Sequence, residues 1–534
     1  MKMDALGRLT LFSSAGASFL CKFEIVGRCS EIRMENLTEK VEKLILDERR
    51  LASNVDQFFL IVCGMFVLFM QAGFAFLEAG SVRSKNTTNI IMKNVLDVFI
   101  GAISYYAVGY AFAYGESGNP FIGHVHFFAT NVKQGFNATL EPHVLTPDEF
   151  YATWFFQFVF AATASTIVSG AMAERTEFTT YMVYCIFLTG FVYPIVSHWG
   201  WSESGWLVNP PEVLQVQFRD FAGSAIVHIT GGTAALIGAI FLGPRIGRFN
   251  RDGTINDIPG HSVTVAALGA FILFVGFLAF NGGSQLSISG EGDGATVALA
   301  IMNTVLGGSA SAITTMLLYK VTDVIRGNDH YWSLIVTMNG ALAGMVSMCA
   351  SCNDLYPWAA VVIGVVAGCA FISWHYFIIA VRIDDPLDAV AVHLGGGLCG
   401  ILLGPIFAIN GLREGVGGII YGGHYLAFQN FGWNLLGALA IMAWTGTIST
   451  ILFGTMKLLG ILRVSEEVEK RGLDKIKHGE PAYPVKGYHE AEGPAYLKER
   501  NGCHNCIEME NGQVSSSNGL EDPPPPEFEE KSSL

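Results

Sequence analysis

Eleven runs of mostly apolar residues, each long enough to cross a bilayer, constrain this chain more than any other feature. They fall at 55–77, 94–114, 151–173, 178–199, 222–243, 262–282, 294–319, 331–350, 356–380, 388–410 and 432–460. A helix needs about 20 such residues to cross the hydrocarbon layer. Lipid offers no partner to a backbone N–H or C=O, so each run must close its hydrogen bonds on itself, as a helix does. Composition agrees: 51% of residues are hydrophobic and only 15% are charged, against about a quarter charged in soluble domains. The 61 glycines suit close contact between membrane helices. The expected fold class is all-α integral membrane, with eleven transmembrane helices.

The net charge of -14, part of it in an acidic tail after Glu466, argues against nucleic acid as a partner. The ten cysteines are scattered. Cys63, Cys185, Cys369 and Cys399 lie in apolar runs, where a free thiol behaves as a small hydrophobe. Cys503 and Cys506 form one CxxC, too few ligands for a zinc site. Cys349 and Cys352, at the end of a predicted helix, read as packing residues rather than a redox pair. No HExxH motif and no cluster of catalytic carboxylates occurs in the spans, so neither an enzyme nor a cofactor is expected.

Orientation follows the Lys and Arg of the short loops. One set of loops holds Arg83, Lys85, Lys93, Arg175, Arg245, Arg248, Arg251, Lys320, Arg326 and Arg382; the other holds only Lys133, Arg219 and Arg413. The first set is expected on the cytoplasmic side, with the N-terminus outside, the C-terminus inside and the chain in the plasma membrane. Arg49 and Arg50 run against this locally. Sequons at Asn36 and Asn137 fall on the expected outer side and could carry glycans; the one at Asn86 falls inside. The expected organisation is a poorly ordered extracellular extension over 1–53 and a transmembrane domain over 54–462. A cytoplasmic regulatory segment over 463–500 and a disordered acidic, Pro-rich tail over 501–534 follow. Met34 is an alternative start. Ser532, Ser533 and Leu534 could offer a terminal ligand to a scaffold domain.

The chain also repeats itself weakly. VHITGG (Val227 to Gly232) opens the fifth span and VHLGGG (Val392 to Gly397) lies in the tenth. Asp220 precedes His228 by the same interval as Asp385 precedes His393. Five spans per copy is an odd number, so the copies insert with opposite sense: two five-helix inverted repeats plus a long eleventh helix. Such repeats build transporters with a site near the midplane. An ionisable group inside a span is expensive, and a pseudo-two-fold axis would bring His228 and His393 together. Either histidine alone would read as a buried ring bonded to a carbonyl. Phe156, Phe160 and Phe280 lie in spans, where most Phe face lipid or core. Trp199, Trp201 and Trp206 follow the fourth span, where Trp is usually an interfacial anchor. An aromatic lining a pore could instead hold a cation or gate it. Asp220 reads as an N-cap. Asp388, five residues before His393, reads as a cap or buttress of the helix.

Several long strings resemble the ammonium transporter (Amt/Mep/Rh) superfamily, in the family's order and over about residues 53–484. They are AFLEAGSVRSKN (Ala75 to Asn86), AERTEF (Ala173 to Phe178), YPIVSHWGWSESGWL (Tyr193 to Leu207), DFAGSAIVHITGG (Asp220 to Gly232), GFLAFNGGS (Gly276 to Ser284), DDPLDAVAVHLGGG (Asp384 to Gly397) and GLDKIKHGEPAY (Gly472 to Tyr483). The resemblance implies an eleven-helix fold with one pore per subunit of a homotrimer, moving ammonium or ammonia. It implies a recruitment site of Trp201, Ser284 and Phe160, and a gate in which Phe156 stacks with Phe280. It gives the twin-histidine role to His228 and His393, and structural support of the outer site to Asp220. Trp201 and Ser284 resemble the Amt branch rather than the Rh branch. Ammonium matches potassium in size, but its N–H donors can bond Ser284, while each aromatic face adds about 0.5–2 kcal/mol of cation–π attraction. The alternatives are an Rh-like channel for neutral ammonia or carbon dioxide, and an ammonium sensor signalling through the tail.

Overall fold

The computed structural model describes residues 16–115, 118–130, 132, 147–327, 331–410, 417–422 and 425–483. Among them there is no β-strand, only isolated bridges such as Thr176 with Arg463. Among the described residues, ten helices are long and apolar enough to cross a membrane. They are α1 (Leu37–Ser81), α2 (Ser84–Tyr114), α3 (Phe150–Ala171), α4 (Phe178–Trp201), α5 (Ser224–Leu242), α6 (Val263–Gly283), α7 (Asp293–Arg326), α9 (Pro357–Ala380), α10 (Val390–Phe407) and α11 (Tyr425–Leu458). The eleventh, α8 (Leu334–Met348), has 15 residues, or about 22 Å at the helical rise. Twelve of those residues are buried in protein, so this helix answers to its neighbours rather than to the thickness of lipid. A short α12 (Glu466–Arg471) follows α11.

The helix that contains α1 runs back to Gly16. The extension expected over 1–53 is thus helical from Gly16 onward. Residues 36–53 are rich in Glu, Lys, Leu and Arg, all good helix formers, and extending a helix already nucleated by α1 needs no new nucleus. Asn137, the Cys503–Cys506 pair, the tail over 501–534 and the terminal Ser532–Leu534 lie outside the described residues.

Small residues set the close contacts. A Cβ at Gly269 of α6 would sit 2.1 Å from the backbone nitrogen of Leu77 on α1, a spacing open only to glycine. The two repeats meet the same way. A Cβ at Gly232 would lie 2.4 Å from the nitrogen of Leu394, and one at Gly397 would lie 2.4 Å from the oxygen of Ser224.

The repeat is visible in detail. The carboxylate of Asp220 accepts the N–H groups of Ala225 and Ile226, both at 2.8 Å, at the start of α5. Asp385 accepts that of Val390 at 2.7 Å, at the start of α10. Each helix then opens on a π-helical stretch that holds its histidine, Ser224–Ile229 and Val390–Gly395. Asp220 lines a cavity with Trp201, before α5, whereas Asp385 lines one with Arg245 and Arg248, after α5. The N-termini of α5 and α10 therefore lie at opposite ends of the bundle, the geometry of an inverted repeat.

Candidate functional site

Both histidines are buried where α5 and α10 cross, and Nδ1 of His228 lies 3.1 Å from Nδ1 of His393. A contact between two ring nitrogens needs one protonated and one bare, so the pair holds one shared proton on this edge. Its tautomer has a neighbour that sequence reading missed. The Cys349 thiol, expected only to pack, lies 3.6 Å from Nε2 of His228 and 3.3 Å from the oxygen of Met345. Its single proton can serve one of these acceptors at a time, and the choice bears on which nitrogen of His228 is bare.

An aromatic column leads to the pair. Trp201 meets Phe160 edge-on with ring centroids 5.9 Å apart, and Phe160 stacks on Phe280 at 4.1 Å and 22°. Phe280 lies 5.6 Å from the His228 ring, which lies 5.2 Å from that of His393, and Phe74 closes the column at 6.3 Å. The stacking partner of Phe280 is thus Phe160, not Phe156 as expected. Phe156 tilts against Phe160 at 4.9 Å. The two residues lie one turn apart on the same face of α3, and only the packing height of α3 against α6 decides which of them reaches Phe280. Ser284, half-buried at the end of α6, donates its hydroxyl to the oxygen of Phe280 at 2.7 Å, which leaves its oxygen lone pairs to accept.

Asp220 does what its cap role predicts and more. Trp201 donates its indole N–H to the Asp220 carbonyl at 2.7 Å, so the residue that caps α5 also orients the ring at the head of the column. Burial pushes the Asp220 carboxyl up to about 7, against the lowering effect of the N–H groups it accepts. Its Oδ1 is buried without a hydrogen-bond partner.

Beyond His393 the protein opens into a cavity of about 340 Å³ lined by Asp385, Asp388, Arg245, Arg248 and His375. Asp388 bonds Nδ1 of His375 at 2.7 Å. Expected to cap or buttress α10, its side chain instead holds a histidine of α9 that no motif marked.

The strings AGSVRSKN, AERTEF and DDPLD meet on this same face. Arg83 bonds Glu174 at 2.8 Å, Arg245 bonds Asp384 at 2.8 Å, and Arg175 donates to the Asp384 carbonyl at 2.7 Å. Burial alone would raise both carboxyls, but Arg83 and Arg245 hold Glu174 below its usual value, and Arg245 and Arg175 hold Asp384 at about 2. The chain after α11 docks here. Asp474 accepts the N–H groups of Thr88 and Asn89 at 3.0 and 2.9 Å, and Asn86 accepts that of Leu473 at 3.0 Å. Nε2 of His478 lies 2.8 Å from the amide nitrogen of Asn89. Asn86, a sequon residue, is buried, with its Oδ1 taken by Leu473.

Long apolar helices in inverted halves, with a buried polar pair at their crossing, define a membrane transporter. A profile of the Ammonium Transporter Family matches residues 58–483. A Caenorhabditis elegans protein named "Putative ammonium transporter 1" is 45% identical, over 85% of this chain and 84% of its own. Ammonium transporter 3 of Dictyostelium discoideum is 38% identical, over 78% of this chain and 91% of its own. Among solved structures, one described as "Sensor Amt Protein" aligns with TM-score 0.71 and 32% identity, over 80% of this chain and 100% of its own. Saccharomyces cerevisiae Mep2 aligns with TM-score 0.63 and 26% identity, over 77% of this chain and 88% of its own. The chain belongs to the ammonium transporter family, and its function is ammonium transport across a membrane.

Proposed function

We propose that the protein takes up the ammonium cation at Trp201, Phe160 and Ser284, strips a proton from it, and passes ammonia along an apolar path past His228 and His393. The observation that carries this reading is the buried Nδ1–Nδ1 contact of 3.1 Å at the end of the aromatic column. The rings of Trp201 and Phe160 attract a cation but not one ion over another. The Ser284 hydroxyl can accept an N–H that potassium lacks. The stacked pair Phe160–Phe280, with Phe156 against it, forms the gate, and an apolar path beyond it penalises any bare cation. The histidine pair then bonds ammonia or relays the proton. Asp220 supports the outer site by capping α5 and bonding Trp201.

The same reading places the Trp201 face outside a plasma membrane and the docked tail inside, in keeping with the Lys/Arg asymmetry of the loops. Within it, residues 54–462 are the transport domain, 463–500 a regulatory segment, and the assembly a homotrimer, with glycans at Asn36 or Asn137. A C-terminal scaffold ligand stays part of it. An Rh-like path for neutral gas fits the cation-attracting column less well. The solved relative described as a sensor keeps a signalling role for the tail as the second reading.

The test is the ratio of ammonium to potassium current in His228→Ala and His393→Ala at matched surface expression. The ratio should fall in both. Wild-type selectivity with wild-type pH dependence in both would make the histidines packing residues and end the relay reading.

A further inference from the structure

Among the described residues, Glu78 is the one with an ionisable side chain that shares a cavity wall with His393 on the tail side and that the mechanism above does not use. It lies in α1, four residues after Phe74 and 2% exposed. A carboxyl at that depth is costly to keep and is a functional candidate by its position alone. One oxygen accepts the Ser169 hydroxyl, and the other accepts the Asn94 amide at 2.8 Å.

Two further observations give it a task. Glu78 and His393 line one small cavity of about 30 Å³, otherwise walled by groups such as Phe74, Gly170 and Asn339. That volume suffices for an ordered water, which needs polar partners of this kind to be held. Leu77, Asn339 and Leu387 line both this cavity and the 340 Å³ cavity below it. The small cavity that Glu78 shares with His393 therefore adjoins the wide tail-side cavity.

The charged surroundings of Glu78 come from two helices. On α2, Lys93 is fully buried with no hydrogen-bond partner for its ammonium. Asp97, also on α2, accepts from Ser165 at 2.8 Å, from Thr166 at 3.1 Å and from Tyr181. On α10, His393 faces the shared cavity. Ser169 and Thr166 on α3 and Asn339 on α8 complete the polar groups and do not ionise. A buried lysine near two carboxyls leaves room for one added proton among the three without a net charge beyond one unit in either direction.

We infer that Glu78 is the proton acceptor on the tail side of the histidine pair. This rests on the deprotonation step proposed above. An N–H bond of ammonium breaks as an N–H bond forms on the histidine pair, and neutral ammonia moves on. The pair releases a proton from His393 to the water between, and that water passes one to the Glu78 carboxylate, forming an O–H bond. The O–H breaks again when water of the small cavity takes the proton on to the adjoining wide one, and ammonia regains one beyond it. One positive charge crosses for each ammonia.

The test uses the full-length protein in proteoliposomes, with ammonium-evoked current and uptake of isotope-labelled ammonium both normalised to protein, and melting temperatures measured alongside. In Glu78→Gln, which keeps the size and one acceptor, current and uptake should fall together about tenfold or more, since each ammonia leaves its proton to this path, while the melting temperature stays within a few degrees of wild type. Glu78→Asp, which keeps the acid one methylene short, should recover part of the current and also covers the case in which Glu78→Gln fails to fold. Wild-type current in Glu78→Gln, or a loss in Glu78→Asp as deep as that in Glu78→Gln, overturns the assignment and leaves Glu78 a structural group. His393→Ala run in parallel separates the two ideas. If it keeps wild-type current and selectivity, the deprotonation reading itself fails. If it loses them while Glu78→Gln does not, only the role of Glu78 fails.

Discussion

Gly232 and Gly397, each four residues after one of the paired histidines, hold equivalent places in the two repeats, and each faces backbone of the other repeat. An added Cβ would come within 2.4 Å of the Leu394 nitrogen or the Ser224 oxygen. Backbone in a packed crossing cannot swing away as a side-chain tip can, so both Gly232→Ala and Gly397→Ala should destabilise by about 1–3 kcal/mol or more. Gly432 of α11 has nothing within 4 Å, and Gly432→Ala should be neutral or slightly stabilising. Thermal unfolding of the three purified variants in detergent checks this. Equal melting temperatures would show that the crossing is looser than described.

Gly472 adopts φ +98°, and a Cβ there would meet Lys85 at 2.5 Å from its Cβ and 2.7 Å from its carbonyl. Gly472→Asp combines backbone strain with a clash and should undock the segment that carries Asp474 and His478. Ammonium flux should drop at normal surface expression, while truncation after Gly502 should leave it near wild type. The reverse ranking would remove the docked tail from any part in transport.

Asp220 sets a pH dependence of stability. Its folded-state value of about 7 lies above the ~3.9 of a free carboxyl. The stabilisation from its proton is full below the free value and is lost as pH rises through about 7. Lowering pH from 8 to 6 should therefore raise stability by on the order of 1 kcal/mol. In Asp220→Asn, which carries no titrating proton, that part of the slope should vanish. Melting curves of both proteins at the two pH values decide it, and an unchanged slope in the variant would place the carboxyl in contact with water.

Cys349 bears on the tautomer of His228 through its thiol. Cys349→Ala removes both the proton and the sulfur lone pairs from Nε2, while Cys349→Ser supplies a stronger donor of similar size. The pH dependence of ammonium current should shift in opposite directions in the two, with rates differing by about fivefold, the worth of one hydrogen bond near 1 kcal/mol. Identical profiles in wild type and both variants would reduce Cys349 to packing.

That the chain lives in lipid, that it folds as eleven helices in two related halves, and that His228 and His393 hold equivalent places can all be read from the order of residues. These are properties of composition and of matched strings, and lipid allows few structures that satisfy them. The same order also marked Asp220 as a cap, because capping is local. Packing settles which groups touch across the bundle. Periodicity puts Phe156 and Phe160 on one face of α3, but the height of α3 against α6 chose Phe160 as the partner of Phe280. Nothing near His375 in sequence announces Asp388, and nothing near Glu78 announces Asn94, Ser169 and the wall it shares with His393. Cys349 read as a packing residue because its neighbour in space, His228, lies 121 positions away. A pattern along the chain reports which face of a helix is buried, whereas a site is built from contacts between helices, and those depend on packing heights and crossings fixed only when all the helices are in place.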